Sequence, residues 1–238
     1  WRLGASMGTG PSKSKSAAVR AASDSFTPAE RVSIQALFKD LTSRSEDGQT
    51  VDKETFLMVF PLPGLLGEQL FAVFDSTNGQ GKLVYEDFIV GLATICRGTP
   101  EERAGFIFRL FDIRRRGYIS PQDLRTLLSH IPGAVLSVIY RDSLAAEPED
   151  KPHTAMVDAL VRSLFKTFNA AHDGKMKAKE FERCLGQHPG IVVYLSSVFP
   201  FGDKPAVEEA GPDATRTKRR SVVGVGTPLS AAVPAPSG

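Results

Sequence analysis

The stretch from Leu83 to Leu124 decides the fold of this chain. Residues 83–92 read Leu-Val-Tyr-Glu-Asp-Phe-Ile-Val-Gly-Leu, and residues 111–124 read Phe-Asp-Ile-Arg-Arg-Arg-Gly-Tyr-Ile-Ser-Pro-Gln-Asp-Leu. The second segment places a glycine between two aspartates and an isoleucine shortly after that glycine. A tight loop between two helices needs glycine at its sharpest turn and an apolar residue that points back to the core. The stretch therefore predicts serial helix-loop-helix units.

The same spacing occurs three times. In the calcium loop of an EF-hand, position 6 is a glycine, position 8 is apolar, position 12 is a carboxylate, and an apolar residue follows. These places are filled in order by Gly117, Ile119, Asp123 and Leu124, by Gly81, Leu83, Asp87 and Phe88, and by Gly174, Met176, Glu180 and Phe181. Three matches in one register predict EF-hands.

Helix starts divide the chain into four such hands. Thr27-Pro28-Ala29-Glu30 is typical of a capped helix start, and residues 99–102 and 120–123 repeat the device. The candidate hands lie at about 30–61, 65–97, 101–131 and 157–188. Because the short strand in each loop needs an antiparallel partner, we predict an all-α fold of four hands in two pairs with short paired loop strands.

The domain boundaries follow from composition. We expect a disordered basic arm at residues 1–24, the first pair at 25–98, the second pair at 99–201, and a disordered tail at 202–238. The net charge of +2 does not indicate the strongly basic surface of a nucleic-acid-binding protein. Two cysteines among 238 residues favour a reduced, cytoplasmic setting over a disulfide framework. No apolar run is long enough to span a membrane.

Calcium affinity depends on the oxygen ligands at positions 1, 3, 5, 7, 9 and 12, so the four loops differ. Loop 1 (residues 44–55) has Arg44 at position 1 and Thr55 at position 12, and we expect no metal there. Loop 3 (residues 112–123) keeps Asp112 and Asp123, but Arg114 and Arg116 stand at positions 3 and 5. Cations oppose a bound cation, so loop 3 is predicted to be inactive.

Loop 2 (residues 75–87) contains one residue too many and has an ambiguous register. Asp75 begins it as a first ligand would, whereas counting back from Phe88 gives Ser76, Asn78 and Gln80 at positions 1, 3 and 5, with Asp87 at position 12. Weak binding of Ca²⁺, binding of Mg²⁺, or neither is compatible with this pattern.

Loop 4 (residues 169–180) is the best candidate. Its ligands would be Asn169, Asp173, the backbone carbonyl of Lys175, and Glu180. We expect Ca²⁺ affinity on the order of 10⁻⁵ to 10⁻³ M, and at most one or two sites in the chain. A scaffold loop that binds no metal is the alternative.

The N-terminal segment contains a possible lipidation signal. If Met7 is the start, Met7-Gly8 begins the pattern for myristoylation of Gly8, and nearby lysines and arginines would favour a peripheral position on an anionic membrane. An unmodified Gly, Ser and Lys arm with an accidental match is the alternative. At the other end, Lys218-Arg219-Arg220-Ser221 makes Ser221 a possible phosphosite, and a solvated basic tail is again the alternative.

With these residues in hand, the chain resembles the recoverin-like calcium sensors. These include the neuronal calcium sensor and potassium-channel-interacting proteins and, more distantly, calcineurin B. The resemblance covers about residues 25–200 and is carried by Tyr85-Glu86-Asp87-Phe88, Arg97-Gly98-Thr99, Phe111-Asp112 and Gly117-Tyr118-Ile119-Ser120. It implies a myristoylated N-terminus, a disabled first hand and an apolar groove on the first pair. The extra residue in loop 2 and the arginines of loop 3 depart from the family pattern.

We therefore expect a non-enzymatic, calcium-binding regulatory protein that binds an amphipathic helix of a protein target, with weak or partial calcium sensing. The groove would be lined by Phe38, Phe56, Phe60, Phe71, Phe74 and Phe88, or these rings are simply core. A metal-independent adaptor, and a regulatory module detached from a larger enzyme, are the alternatives. No nucleophile, carboxylate pair or phosphate loop of an enzyme is recognisable.

Overall fold

The computed structural model describes residues 11–75, 79–145, 151–199 and 201, all of them in one compact unit. Two strands, β1 (Val51–Asp52) and β2 (Lys82–Leu83), accompany eleven helices within these ranges. The helices are α1 (Pro11–Asp24), α2 (Pro28–Arg44), α3 (Lys53–Val59), α4 (Leu65–Phe74), α5 (Tyr85–Arg97), α6 (Pro100–Phe111), α7 (Pro121–Leu128), α8 (Gly133–Leu144), α9 (His153–Phe168), α10 (Ala178–Gln187) and α11 (Gly190–Ser197).

The loops pair as the fold class requires. β1 and β2 are antiparallel with Val51 opposite Leu83, which joins loop 1 to loop 2. Ile119 and Met176 form an antiparallel bridge, which joins loop 3 to loop 4. All four residues are buried, and each stands at position 8 of its loop. The prediction of an all-α fold with four hands in two pairs is confirmed.

Three helices begin at the predicted capping residues. Thr27, Thr99 and Ser120 each accept a backbone hydrogen bond from the residue three positions later, and a proline follows each of them. The carboxylate at that third position reaches back to the backbone of the cap in each case. These capping boxes fix the start of α2, α6 and α7 because they satisfy N–H groups that a helix leaves unpaired.

The structure differs from the sequence prediction in the N-terminal arm, where residues 11–24 form α1 rather than a disordered segment. Alanine has the highest helix propensity, and four alanines lie in this helix. Ala22 is buried, and α1 packs along α5. Composition alone underestimated this segment because its apolar contact is made by small side chains.

Two further elements concern the C-terminal half. The connection between the third and fourth hands contains α8, and α11 follows the fourth hand and packs on α8, α5 and α6. The core runs through both pairs without a break. In the part of the chain that the structure describes, no helix is long and apolar enough to cross a bilayer. Gly8, Ser221 and the predicted tail at 202–238 lie outside the described residues.

Candidate metal centres in the EF-hand loops

One hydrogen bond recurs in three of the loops. The side chain of the first loop residue accepts the backbone N–H of the loop glycine, from Gly117 to Asp112 Oδ2 at 2.7 Å and from Gly174 to Asn169 Oδ1 at 3.0 Å. Each of these glycines has a positive φ, which a residue with a Cβ adopts only under strain. The bond therefore marks the first ligand position of a loop.

The same bond fixes the register of loop 2. Gly81 donates its N–H to Asp75 Oδ2 at 2.7 Å, so Asp75 rather than Ser76 stands where a first ligand would. The extra residue therefore lies between Asp75 and Gly81. Ser76 and Asn78 are outside the described residues, and Gln80 is exposed.

Loop 4 brings its predicted ligands together. The Nδ2 of the buried Asn169 lies 3.1 Å from Asp173 Oδ1 and 3.3 Å from the carbonyl oxygen of Lys175. The oxygens of Asp173 and of the Lys175 carbonyl therefore converge on the Asn169 amide nitrogen, whose Oδ1 accepts the N–H of Gly174. Asn169 would ligate a cation through Oδ1 after rotation of its amide. Hard oxygen ligands of this kind suit Ca²⁺.

Glu180 completes the set from the first turn of α10. Its Oε1 accepts the N–H of Ala170 and its Oε2 accepts the N–H of Lys177, both at 2.9 Å. Burial raises the pKa of Glu180, but these N–H bonds outweigh it and hold the pKa below its ordinary value. Hydrogen bonds from Asn169 and Lys175 likewise lower the pKa of Asp173. Both carboxylates are ionised at neutral pH and fit a divalent cation.

Lysines surround loop 4, but two of the three ammonium groups have partners elsewhere. Lys179 Nζ lies 2.9 Å from Glu182 Oε2, and Lys175 Nζ lies 5.6 Å from the ring centre of Tyr118. Glu182 balances part of the positive field because opposite charges at this distance cancel at longer range. The lysines therefore raise the electrostatic potential at the two carboxylates of loop 4 less than their number implies.

Loop 3 contains a cation of its own. The Arg116 guanidinium donates to Asp123 Oδ2 at 2.5 Å and to Ser120 Oγ at 3.3 Å. Arg114 is farther away, with Nε 3.9 Å from Asp123 Oδ1, and its side chain is largely exposed. The carboxylate of Asp112 accepts hydrogen bonds from the backbone N–H groups of Arg116 and Gly117. Both carboxylates predicted in this loop are therefore engaged by protein donors.

Loop 2 also has a protein cation as an ion-pair partner. Lys15 of α1 places Nζ 3.1 Å from Asp87 Oδ1 at position 12. At the other end of the loop, Asp75 Oδ1 is buried and has no hydrogen-bond partner among the residues that the structure describes. An orphan carboxylate oxygen of this kind is suited to a cation, although Lys15 already neutralises the opposite ligand position.

Loop 1 is built from local hydrogen bonds. Asp47 accepts N–H bonds from Gln49 and Thr50, the Thr50 hydroxyl, and the Lys82 ammonium at 2.9 Å. These bonds, with the Thr50 hydroxyl foremost, lower the pKa of Asp47 well below its usual range. Arg44, at position 1, pairs instead with Asp40 on the preceding turn. Side-chain hydrogen bonds therefore hold this loop in shape.

Comparison with known proteins agrees with this geometry. A family model for an EF-hand domain pair matches residues 101–185, which contain loops 3 and 4. The calcium-binding protein NCSA of Dictyostelium discoideum is 31% identical over 49% of this chain and 64% of its own length. A recoverin family protein of the same organism is 28% identical over 55% of this chain and 59% of its own length. The chain is an EF-hand protein related to the recoverin-like calcium sensors.

A plant relative extends the match across more of this EF-hand chain. The calcineurin B-like protein 5 of Arabidopsis thaliana is 24% identical over 69% of this chain and 76% of its own length. None of these three names denotes an enzyme. The chain spans about three fifths of the length of each of the two Dictyostelium relatives.

The predicted groove of this EF-hand protein is filled. Its six phenylalanines are all buried and form one aromatic cluster: Phe38, Phe56, Phe60, Phe71, Phe74 and Phe88. Phe199, which follows α11, packs into this cluster with ring centres 5.1 Å from Phe60 and 5.7 Å from Phe74. Among the described residues these six rings therefore line no open groove, and the aromatic cluster is part of the core.

The C-terminal segment is held in place by polar contacts as well. Arg97 donates to the carbonyl oxygen of Phe201 at 2.9 Å and to Glu30 Oε1 at 2.9 Å. The ring of Phe201 packs edge-on against Phe26, and the Arg97 guanidinium lies over Phe26. The segment after α11 is thereby joined to the first pair.

Sequence reasoning missed three of these contributors. Lys15 and Phe199 lie outside the hands, and no loop template assigns them a role. For Arg116 the sequence predicts only repulsion of a metal ion, because spacing alone does not show that the guanidinium reaches position 12. For loop 2, a glycine at position 6 predicts Ser76 as the first residue, and only the hydrogen bond from Gly81 to Asp75 shows that Asp75 takes that place.

Proposed function

We propose that this EF-hand protein is a calcium-binding regulatory protein whose working metal site is loop 4. The observation that carries the proposal is that Asn169, Asp173, Glu180 and the Lys175 carbonyl lie together in a loop whose position-12 carboxylate has no cationic side chain as partner among the described residues. Lys15 of α1 pairs with the position-12 carboxylate of loop 2, Arg116 pairs with that of loop 3, and loop 1 lacks a carboxylate at position 12. One site is therefore expected.

The affinity of this site follows from its charge. Loop 4 offers two carboxylates, an amide and a carbonyl, whereas tight EF-hand sites have more acidic ligands. We expect a dissociation constant on the order of 10⁻⁵ to 10⁻³ M for Ca²⁺. Mg²⁺ is a weaker candidate because it demands near-ideal octahedral geometry and dehydrates reluctantly.

The protein target would be an amphipathic helix that binds the aromatic cluster of the first pair. A helix that docks in an apolar groove contributes anchors one helical turn apart, and large aromatic rings are well suited to receive them. Phe199 occupies this place in the described arrangement, so target binding would require the segment after α11 to leave. Myristoylation of Gly8 and a peripheral position on a cytoplasmic membrane surface remain part of this proposal.

The test of the metal site is calorimetric titration of the full chain with Ca²⁺ in the presence of Mg²⁺. We expect one binding event in the wild type, and its loss in Glu180→Gln because position 12 supplies the bidentate ligand. Glu54→Gln, which removes the same charge at an exposed position of α3, is the matched control and should leave one binding event. Absence of heat up to millimolar Ca²⁺, with no rise in thermal stability, would contradict the proposal.

A second candidate is a metal-independent adaptor, and one observation favours it. The cations Lys15 and Arg116 satisfy two of the three position-12 carboxylates without any metal. Fluorescence titration of the full chain with a synthetic amphipathic helix of leucine and lysine distinguishes the adaptor from the calcium sensor. Equal affinity in calcium and in chelator indicates the adaptor, and a dependence on calcium that Glu180→Gln removes indicates the sensor.

A further inference from the structure

Arg116 contacts both ends of loop 3. Its backbone N–H donates to Asp112 Oδ1 at 2.9 Å, and its guanidinium donates to Asp123 Oδ2. Asp112 is the first ligand position of the loop and Asp123 is the last. In a working EF-hand, the metal ion is the group that joins these two positions.

The contact with Asp123 is mostly removed from water. The Asp123 side chain is 2% exposed and that of Arg116 is 29% exposed. Asp123 also accepts hydrogen bonds from the backbone and the hydroxyl of Ser120, which caps α7. Burial opposes ionisation, but these bonds and Arg116 keep the pKa of Asp123 below its ordinary value. A buried, hydrogen-bonded ion pair is sensitive to the loss of one partner, unlike an exposed pair.

We infer that Arg116 is a positioning residue for loop 4, because it takes the place of the metal in loop 3 and thereby fixes the Ile119–Met176 bridge that joins loop 3 to loop 4. The inference rests on the proposed metal site of loop 4 for its effect on calcium, but its structural part does not need calcium at all.

The path from Arg116 to loop 4 is short. Ile119 lies between Arg116 and Asp123, and it exchanges two backbone hydrogen bonds with Met176, at 2.9 and 3.0 Å. Met176 directly follows Lys175, whose carbonyl is one of the loop 4 ligands. Side chains make a parallel connection.

That second connection passes through one ring. Tyr118 has the Arg116 guanidinium 4.5 Å from its ring centre and the Lys175 ammonium 5.6 Å from it. A cation over an aromatic face is attracted by the negative charge of the face. The backbone and side chain of Lys175 are thus both held against loop 3.

The experiment compares Arg116→Gln with Arg114→Gln in the full chain. Arg114 lies two residues away in the same loop, and its side chain is 63% exposed. Its substitution by Gln removes the same charge. In chelator, amide hydrogen exchange at Ile119 and Met176 should become about tenfold faster in Arg116→Gln, because a charge-assisted hydrogen bond is lost. Arg114→Gln should exchange like the wild type, and Arg116→Lys should recover part of the protection.

A calcium titration of the same variants gives the second readout. Arg116→Gln should weaken calcium binding at loop 4 by roughly three- to tenfold, since a less ordered Lys175 carbonyl must be ordered on binding. If the wild type binds no calcium, the proposed metal site fails while the exchange result still decides the role of Arg116.

Two results would overturn the inference. One is unchanged exchange in Arg116→Gln, and the other is equal acceleration in Arg116→Gln and Arg114→Gln. If Arg116→Gln is too unstable for exchange measurements, the free energies of unfolding of Arg116→Gln, Asp123→Asn and the double variant are compared instead. If Arg116 acts through Asp123, the double variant should lose less stability than the sum of the two single losses. Additive losses would contradict this.

Discussion

The ammonium of Lys15 lies 3.1 Å from Oδ1 of Asp87, which joins the N-terminal helix to the last ligand position of loop 2. The side chain of Asp87 is 4% exposed, whereas that of Lys15 is 39% exposed. A single lysine outside the hands therefore does two things. It attaches α1 to α5, and it neutralises the buried carboxylate at position 12 of loop 2.

Replacing Lys15 should loosen α1. We expect Lys15→Gln to destabilise the protein by about 1–2 kcal/mol, because a buried carboxylate loses its charged partner while α1 keeps its other contacts. The measurement is urea unfolding together with hydrogen exchange of the α1 amides. Arg20→Gln, an exposed position on the same helix, is the control. Equal stability of Lys15→Gln and Arg20→Gln would contradict this role.

Removing the ring of Phe199 should expose the aromatic cluster. Phe199→Ala deletes a ring that is 3% exposed, and we expect a loss of about 3 kcal/mol. An environment-sensitive apolar dye should gain fluorescence, because the faces of Phe60 and Phe74 become accessible. Val193→Ala on α11, at a side chain that is 64% exposed, should change neither quantity. No difference between the two variants would show that the C-terminal segment does not cover the cluster.

Acid should weaken the protein through Asp123. Its pKa in the folded protein is below the ordinary value of 3.8, so its stabilising contribution is fully present above 3.8 and is lost as pH falls through the folded pKa. The free energy of unfolding should therefore differ between wild type and Asp123→Asn by a constant amount above about pH 5, and by less as pH falls below 3.8. Denaturant titrations across this range measure the difference. A gap that stays constant down to the lowest pH would contradict the lowered pKa.

Both thiols should be inert while the protein is folded. Cys96 and Cys184 are buried, and burial raises the pKa of the Cys184 thiol to about 12. Because the thiolate is the reactive form, a chromogenic disulfide reagent at neutral pH should detect neither thiol until denaturant is added, and both afterwards. Stoichiometric reaction of one thiol in the native protein would show that its helix opens readily.

The sequence predicted those parts of the structure that depend on local rules. Gly117, Ile119 and Asp123 fixed the register of loop 3 because turn, core and ligand positions are constrained independently. Thr27, Thr99 and Ser120 fixed helix starts because a capping hydroxyl and its carboxylate act within four residues. The pairing of loops followed from the need of each short strand for a partner.

The remaining features depend on contacts between distant parts of the chain. Lys15 and Asp87 are far apart in sequence, as are Phe60 and Phe199, and no periodicity links either pair. The helix α1 was missed because its buried side is alanine, which contributes little to a pattern of large apolar residues. For Arg116, residue type predicted an inactive loop, but only the geometry shows which carboxylate the guanidinium binds.

The most direct measurement is a calcium titration of the full chain followed by the backbone amide signals of Gly81, Gly117 and Gly174. Each glycine donates its N–H to the first residue of its own loop, so each amide reports on one loop alone. We predict that calcium shifts the Gly174 signal in a saturable way, leaves the other two nearly unchanged, and has no effect on Gly174 in Glu180→Gln. A Gly174 signal that stays in place at millimolar calcium, or a shift of Gly117 in its stead, would contradict the assignment of the metal site to loop 4.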